Sequence, residues 1–543
     1  MERMMHARPL PARRAHPLRI ALIGCGPRGL AAAEMALDQM PSCRITIFDP
    51  SATPAAGPNY APEESPHCLL NLRAEEVTLP FPERISFSDW IAQTSAPGPT
   101  AEDYPPRRRM GQYLQARFTA LQQAHPGAIR HHRQIATNAT RDAAGWWIET
   151  HAGAYGPYDE LVLTMGQPVT RADPTWASWR AQAAACGALM ATAYPGHALQ
   201  RKARGWAGKT VALRGLGLAA LDVVALLTLG QGGQMAGGRY LRSGREPARI
   251  LPFSLDGVPP LPKPARTLQP RFALRDAETA QLHAAIARAL TLDPDAAMDD
   301  IAQALEAPAR RISGAAPTDW LRIERDSPGA QDAGRTPRDI LREGIEMAAG
   351  CRPAGVGYCI GQIWRSLQPA LRRSFLTADS RPDTRAAVLA FDRGLKRLTY
   401  GPPLGSARLL LALVQDGLVQ LTLADDPAIR LTAQGWALDR DTQATVMIDA
   451  VLPPPRLDRI DDPLITALLR EGGLREAPAT GGIDVDATGC AAPGLTVLGR
   501  MTEGRSIAAD SLLDCYGAMT RAWAERLALP PAQPRPAAEN QHA

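Results

Sequence analysis

A chain of 543 residues and 58.2 kDa holds about three domain equivalents, so a single small binding module is excluded. Its 60 Lys and Arg against 55 Asp and Glu leave a net charge of +5, too balanced for a general polyanion binder, and nucleic acid is not an expected partner. Eight cysteines at 25, 43, 68, 186, 351, 359, 490 and 515 form no C-x-x-C pair and no Cys/His group at zinc spacing, which argues against a disulfide framework, a metal site and a dithiol redox pair.

Residues 1–17 carry Arg3, Arg8, Arg13 and Arg14 and are broken at Pro9, Pro11 and Pro17, so they read as a flexible basic leader without the apolar stretch of a secretory signal. Apolar runs such as Leu409–Val414 fall far short of the 18 residues that span a bilayer, so no membrane partner is expected and the expected location is cytoplasmic.

The first motif is RIALIGCGPRGLAAAEMAL, residues 19–37: a short apolar strand, then Gly24-x-Gly26-x-x-Gly29, then an Ala-rich helix. Gly24 permits the turn, Gly26 lets backbone approach a pyrophosphate, and Gly29 lets the helix sit close on the strand. Pro27 and Arg28 lie at the start of that helix, whose free N–H groups would meet the pyrophosphate. The next strand, CRITIFD, ends in Asp49, placed to accept bonds from an adenosine ribose. A dinucleotide-binding βαβ unit follows from the four features together.

Trp146–Pro168 reads as hairpin material and then a strand from Glu160 to Met165 that stops at Gly166, where a small residue lets backbone approach a flavin. GKTVALRGLGLAALDVVALLTL then repeats the strand, turn and helix pattern with Gly215-x-Gly217-x-x-Ala220. Two such folds point to two dinucleotides. The strand candidate after it, GRYLRSGREPARI, offers no acid to a ribose but supplies Arg242, Ser243 and Arg245, a set suited to a 2′-phosphate, and so favours NADPH over NADH. Asp222, one turn into the helix, reads as an ordinary helical residue.

From Pro264 to Tyr400 the spacing predicts helices over 276–290, 296–307, 337–349, 361–375 and 385–398, a substrate or lid region. Arg310, Arg311, Arg365, Arg372, Arg373 and Arg381 crowd it; a pair of them could clamp a substrate carboxylate, while solvated helix faces account for most such residues. His283 stands alone and reads as packing or surface. Residues 401–456 resume the α/β pattern and end at three prolines, a crossing back to the first domain. There the strand Leu495–Leu498, Gly499, Arg500, a Gly504 turn and a helix from about Ile507 are expected beside the flavin. The last residues are polar and Pro-rich and read as disordered.

The fold class expected is therefore α/β, with two Rossmann-like dinucleotide-binding domains for FAD and NADPH and a mainly helical insertion. The expected division is 1–17 leader, 18–204 FAD domain, 205–263 NADPH domain, 264–400 helical region, 401–456 NADPH domain, 457–528 FAD domain and 529–543 tail.

In order, GCGPRG, GPNY, LLNLRA, YPPRRRMGQYL, LRGLGLAALDVV, LRSGREP and LGRMTEG resemble the bacterial FAD/NAD(P)-binding family that includes flavin-dependent N-monooxygenases such as nitrosuccinate synthase, across residues 18 to 525. More distantly the plan is similar to ornithine and lysine N-hydroxylases and Baeyer–Villiger enzymes. One departure is Ser254-Leu255 after LPF, where relatives would carry Ser-Arg near the nicotinamide site. The resemblance implies FAD and NADPH as cofactors, O₂ uptake at the flavin C4a carbon, and oxygen transfer from the hydroperoxide to a neutral amine or amino acid. Asn71 is then the candidate catalytic residue, bonding to flavin or peroxide; a turn-forming Asn is the plainer reading. The scaffold alone leaves room for a reductase feeding a partner protein and for a non-catalytic redox sensor, and a homo-oligomer is compatible with all three.

Overall fold

The computed structural model describes residues 16–81, 84–94, 104–254, 257–315, 318–327, 329–332, 334–423 and 428–529. Most of the leader, Leu255 and the tail beyond 529 lie outside them. The chain opens on β1 (Arg19–Ile23), α1 (Pro27–Gln39) and β2 (Arg44–Phe48), then passes through α2 (Phe87–Thr94) and α3 (Arg107–Ala124) to β3 (Ile129–His132). An antiparallel three-stranded flap follows, made of β4 (Ala136–Asp142), β5 (Gly145–Thr150) and β6 (Gly153–Tyr158), before β7 (Glu160–Leu163) returns to the first sheet.

The second domain begins with α4 (Pro174–Cys186), β8 (Leu189–Thr192) and α5 (Gly196–Ala203), and continues with β9 (Thr210–Arg214) and α6 (Leu218–Leu227). β8 belongs to this sheet through parallel pairing of Val446–Asp449 with Leu189–Thr192, so the second domain starts well before 205. A small hairpin of β10 (Gln234–Ala236) and β11 (Arg239–Leu241) precedes β12 (Arg249–Ser254).

Among the described residues, seven α-helices then make the inserted region: α7 (Asp276–Ala289), α8 (Pro294–Ser313), α9 (Thr318–Asp326), α10 (Pro337–Ala349), α11 (Val356–Thr377), α12 (Pro382–Gly394) and the short α13 (Lys396–Thr399). Asp293 and Thr336 cap two of them by accepting from Ala296 N and Asp339 N, which fixes starts that apolar spacing leaves open. The chain returns through α14 (Leu404–Gln415), β13 (Thr422–Leu423), the ribbon β14 (Arg430–Thr432), β15 (Gly435–Ala437) and β16 (Gln443–Ala444), and β17 (Val446–Asp449). It closes on α15 (Pro463–Arg470), β18 (Cys490–Ala492), β19 (Leu495–Val497) and α16 (Ala518–Leu527).

The first sheet runs β18-β19-β7-β1-β2-β3 and the second β13-β12-β9-β17-β8. In the first, only the β18–β19 pairing is antiparallel; all pairs of the second are parallel. In both, the strand before the glycine motif sits inside the sheet, with crossover strands on either side. That order opens a crevice beyond the strands' carboxyl ends, where nucleotides bind in this architecture. Each sheet is sandwiched: α1 and α16 pack together against the first, while α6 and α14 cover one face of the second and Trp176 and Trp179 of α4 pack on Ala212 and Leu251 of the other.

Candidate nucleotide sites and the seam between them

In the first motif the three glycines do separate work. Gly24 holds φ +84°, and a Cβ there would lie 3.0 Å from the Thr164 carbonyl. At Gly29 a Cβ would come within 2.5 Å of the Gly24 carbonyl, so this glycine seats α1 on β1. A Cβ on Gly26, by contrast, meets only Gly57 Cα, at 3.7 Å. Gly57 itself has φ +67°, and the pair leaves two bare backbone stretches facing each other at the helix start. α1 has no side-chain cap and no acid in its first turn, so among the described residues no side chain takes up its N-terminal N–H groups. A bare cradle at an uncapped N-terminus fits a pyrophosphate.

Asp49 lies at the end of β2 as expected. Its carboxylate accepts from Cys25 N at 2.7 Å and from Ser51 N at 2.8 Å, which fixes its orientation beside the turn and leaves lone pairs for ribose hydroxyls. Gly166, φ +68°, ends the turn after β7 with nothing within 4 Å of a Cβ, open backbone at the carboxyl edge.

Arg28 serves the fold. It is buried and donates to the carbonyls of Ala509 (2.9 Å) and Asp514 and to the Asp514 carboxylate (2.7 Å), pinning the C-terminal loop to α1. The Asp514 carbonyl also accepts from Gly517 N at 2.9 Å, closing a 3₁₀ turn. The helix expected from Ile507 starts only at Ala518, after a 3₁₀ turn over Leu513–Tyr516. Gly499 (φ +99°) packs on the Arg28 side chain, a Cβ at Gly504 would strike Thr480, and Arg500 donates to the Pro453 carbonyl at 3.0 Å. With Arg28 and Met519, Gly499 lines a cavity of about 520 Å³ that reaches Pro369 and Arg372 of α11.

The second motif repeats the geometry. Gly215 has φ +99° and donates its N–H to the Phe253 carbonyl at 2.9 Å, Gly217 caps α6 with open space around it and no side-chain cap, and Ala220 is fully buried. The basic cluster is placed elsewhere. β12, whose Arg249–Phe253 pairs with Thr210–Arg214, is the parallel neighbour of β9, and it points its Ser254 end at the glycine turn. Arg242, Ser243 and Arg245 precede β12, at the opposite edge of the sheet. Arg242 pairs with Asp416 (2.6 Å), while Arg245 Nε and Ser243 Oγ donate to the Gln231 carbonyl. The structure does not bring these three to the nucleotide crevice, because β11 forms a hairpin with β10 instead of entering the sheet.

Asp222 is more than an ordinary helical residue. It is buried, and its Oδ2 takes Arg107 Nη2 at 2.9 Å and the Tyr194 hydroxyl at 2.8 Å. Burial pulls the Arg107 guanidinium down, yet the Asp222 carboxylate carries it above its ordinary range. Arg107 opens α3 of the first domain, so the pair ties the two domains together. Beside it, Asn71, His67, Leu218 and Pro402 line a cavity of about 140 Å³. Asn71 thus sits on the seam between the domains. A second buried tie escaped sequence reasoning: Glu34 of α1 accepts from Arg117 (2.9 and 3.1 Å), Arg84 and Tyr516. An acid among alanines in α1 was its only signal.

Among the described residues, no group of His, Cys, Asp and Glu could hold a metal ion, and no helix is long and apolar enough to cross a membrane.

Residues 21–168 match the family described as FAD-NAD(P)-binding. The chain is 30% identical over 266 residues to nitrosuccinic acid synthase of Aspergillus oryzae, covering 44% of this chain and 40% of that one. It is 29% identical over 289 residues to the nitrosuccinate-forming L-aspartate N-monooxygenase of Streptomyces cremeus, covering 45% and 42%. The chain spans about two fifths of the length of these curated relatives. In fold it is similar to ornithine N-hydroxylase of Kutzneria sp. 744, with a TM-score of 0.50 at 11% identity over 94% of this chain and 98% of that one. The likeness to the ornithine N-hydroxylase is one of fold, and the match to the FAD-NAD(P)-binding family lies over residues 21–168, which hold the first glycine turn.

Proposed function

We propose that the protein is an FAD- and NADPH-dependent monooxygenase that N-hydroxylates an amine of the amino-acid class. The observation that carries the reading is the pairing of two uncapped, glycine-turned helices, α1 and α6, on separate sheets joined across a buried ion pair, in a chain related to nitrosuccinate-forming enzymes. Gly26 and Gly57 would hold the FAD pyrophosphate and Asp49 the adenosine ribose. Gly215, Gly217 and Ala220 would hold the second nucleotide, which we assign as NADPH in line with the NADP⁺ of the ornithine N-hydroxylase neighbour.

Bound FAD supplies the hydride acceptor and the site of oxygen activation. The chain's own work is to orient and to exclude water. The Arg107–Asp222 tie would hold the two nucleotide domains together, and the helical region over the 520 Å³ cavity beside Arg28 and Gly499 would keep water from the flavin side. Asn71, which lines the small cavity on the seam, would hydrogen-bond a polar group of the flavin or substrate. The substrate amine must arrive or become neutral, since protonation removes the lone pair that attacks. The eight cysteines are unpaired, in keeping with a reducing, cytoplasmic setting.

The test is NADPH consumption by the flavin-loaded protein against a panel of amino acids, with N-oxidised product and peroxide measured together. Coupled product supports the reading. Electron flow only to a dye or protein acceptor sinks it in favour of a reductase.

A further inference from the structure

Several exposed arginines of the helical region are spent on neighbouring acids. Arg310 pairs with Glu306, Arg311 with Glu278, Arg352 with Glu343 and Arg381 with Asp383. Three arginines that line the cavity of about 520 Å³ break this pattern. Arg372 and Arg373 come from α11 and Arg521 from α16, and among the described residues no carboxylate pairs with any of them. Arg372 is half-buried, and its Nε is out of water without an acceptor. The group it acts on inside the fold is the Tyr400 hydroxyl, which is not an acid. Arg373 and Arg521 are exposed and stand at the rim.

The rest of the lining does not cancel this charge. Arg28, the fourth guanidinium, is already paired with Asp514, and Glu525 is the only other acid among the described lining residues. Four cations therefore face two anions around one space. Between them the walls are apolar: Pro369 and Leu376 of α11, Ile507 and Leu513 of the C-terminal loop, and Met519 of α16. Leu376, Ile507 and Met519 are otherwise buried, so the cavity opens into packed core and not onto a polar surface. None of Gly26, Gly57, Asp49, Gly166, Gly215 and Gly217 lines it, which sets it apart from both glycine turns. Its volume falls in the range of small-molecule sites, about 300–1,000 Å³.

We propose that this cavity is a binding site for an amphiphilic anion, with Arg372, Arg373 and Arg521 holding its head group and the walls from Pro369 to Met519 taking an apolar body. Planar guanidinium forks accept a carboxylate or a phosphate in the same bidentate way, so the head group is either of these. The apolar body is required by the walls, because a small polar anion would leave them facing water. The occupant touches α11 on one side and α16 with the C-terminal loop on the other, so its binding clamps the helical region to the first domain. The site uses no group assigned to either nucleotide, and the proposal stands independently of the monooxygenase reading.

The test is calorimetric and thermal titration of the flavin-loaded protein with octanoate, octyl phosphate, octylammonium and inorganic phosphate, on wild type, Arg373→Gln and Ala522→Trp. Octanoate or octyl phosphate should bind wild type at one per chain and raise its Tm, with the flavin retained. The tighter of the two identifies the head group. Octylammonium and inorganic phosphate should bind at least tenfold more weakly. Arg373→Gln changes an exposed side chain and should lose at least tenfold in affinity for the amphiphile, while Ala522→Trp fills the cavity and should abolish binding. Octylammonium binding as tightly as the anions would remove the arginines from the account, and inorganic phosphate binding as tightly as octyl phosphate would remove the walls; either result overturns the proposal. Release of FAD by the amphiphile overturns it by making the cavity part of the flavin site. Binding that does not saturate at one per chain, or that both variants leave unchanged, overturns it as adsorption to the surface. If no amphiphile binds, the proposal fails and the monooxygenase reading is untouched.

Discussion

Gly26 and Gly29 lie three residues apart, and the structure predicts opposite consequences for the same added methyl. In Gly29→Ala the new Cβ would sit 2.5 Å from the Gly24 carbonyl, about 0.9 Å inside ordinary contact at 3.4 Å, and that carbonyl is held by the Thr164 hydroxyl. Backbone on both sides leaves little to give, so the cost falls toward the upper end of the roughly 1–3 kcal/mol of overpacking. In Gly26→Ala the backbone (φ −82°, ψ −161°) is ordinary and the nearest atom is 3.7 Å away. Loss of a favourable N-cap, about 1 kcal/mol, is largely offset by the roughly 0.4–1 kcal/mol gained from a less flexible unfolded chain. The methyl nevertheless fills the gap toward Gly57. The same roughly 1–3 kcal/mol of overpacking, now against the pyrophosphate, corresponds to FAD binding about 5–150-fold weaker. Denaturant midpoints report the first effect, and fluorescence titration of the flavin-free protein with FAD reports the second. Wild-type FAD affinity in Gly26→Ala, or wild-type stability in Gly29→Ala, would refute the division of labour.

Three further outcomes follow from the same geometry. Arg107→Met strands the Asp222 carboxylate with only Tyr194, and urea unfolding should show a loss of about 3–5 kcal/mol; a loss below about 1 kcal/mol would mean the pair does not tie the domains. Burial first, and then Arg365, brings the Lys263 ammonium down to about 7 in the fold against 10.5 when unfolded, so between those values the unfolded chain binds more protons and stability rises with pH. At 1.36 kcal/mol per unit the rise is up to about 5 kcal/mol, and unfolding curves of Lys263→Met should lack it; an unchanged slope in the variant contradicts the assignment. Replacing Arg242 and Arg245 together with Ala should move KM for NADPH and NADH equally, within about twofold, since both side chains point their bonds at Asp416 and Gln231. A selective loss of NADPH would show that they reach the 2′-phosphate after all.

What the chain declares locally, it declares well. Gly24, Gly26, Gly29 and Asp49 are legible because turn, helix start and strand end fall within one βαβ unit, where spacing alone sets geometry. The second motif is equally plain, but its next strand is not. RYL alternates as a strand should and pairs with β10, whereas the strand that joins β9 is RILPFS, whose Pro252 removes a ladder donor and weakens its signature. The basic residues between them were therefore carried to the wrong edge. The start of the second domain moved for a related reason: β8 is placed by pairing with β17, more than 250 residues later, which no window around 189 can see. Arg107, Asp222, Glu34 and Lys263 share this property. Each is an ordinary charged residue in sequence and acquires its meaning only when a distant segment buries it.

The proposed function requires that the two nucleotide sites together deliver one oxygen atom to an amine. Turnover with NADPH under ¹⁸O₂, with the product analysed by mass, tests it most directly. The account predicts ¹⁸O in an N-oxidised product, one atom for each NADPH consumed in an oxygenation step. NADPH oxidised to yield only H₂¹⁸O₂, with no labelled amine from any amino acid offered, would contradict it.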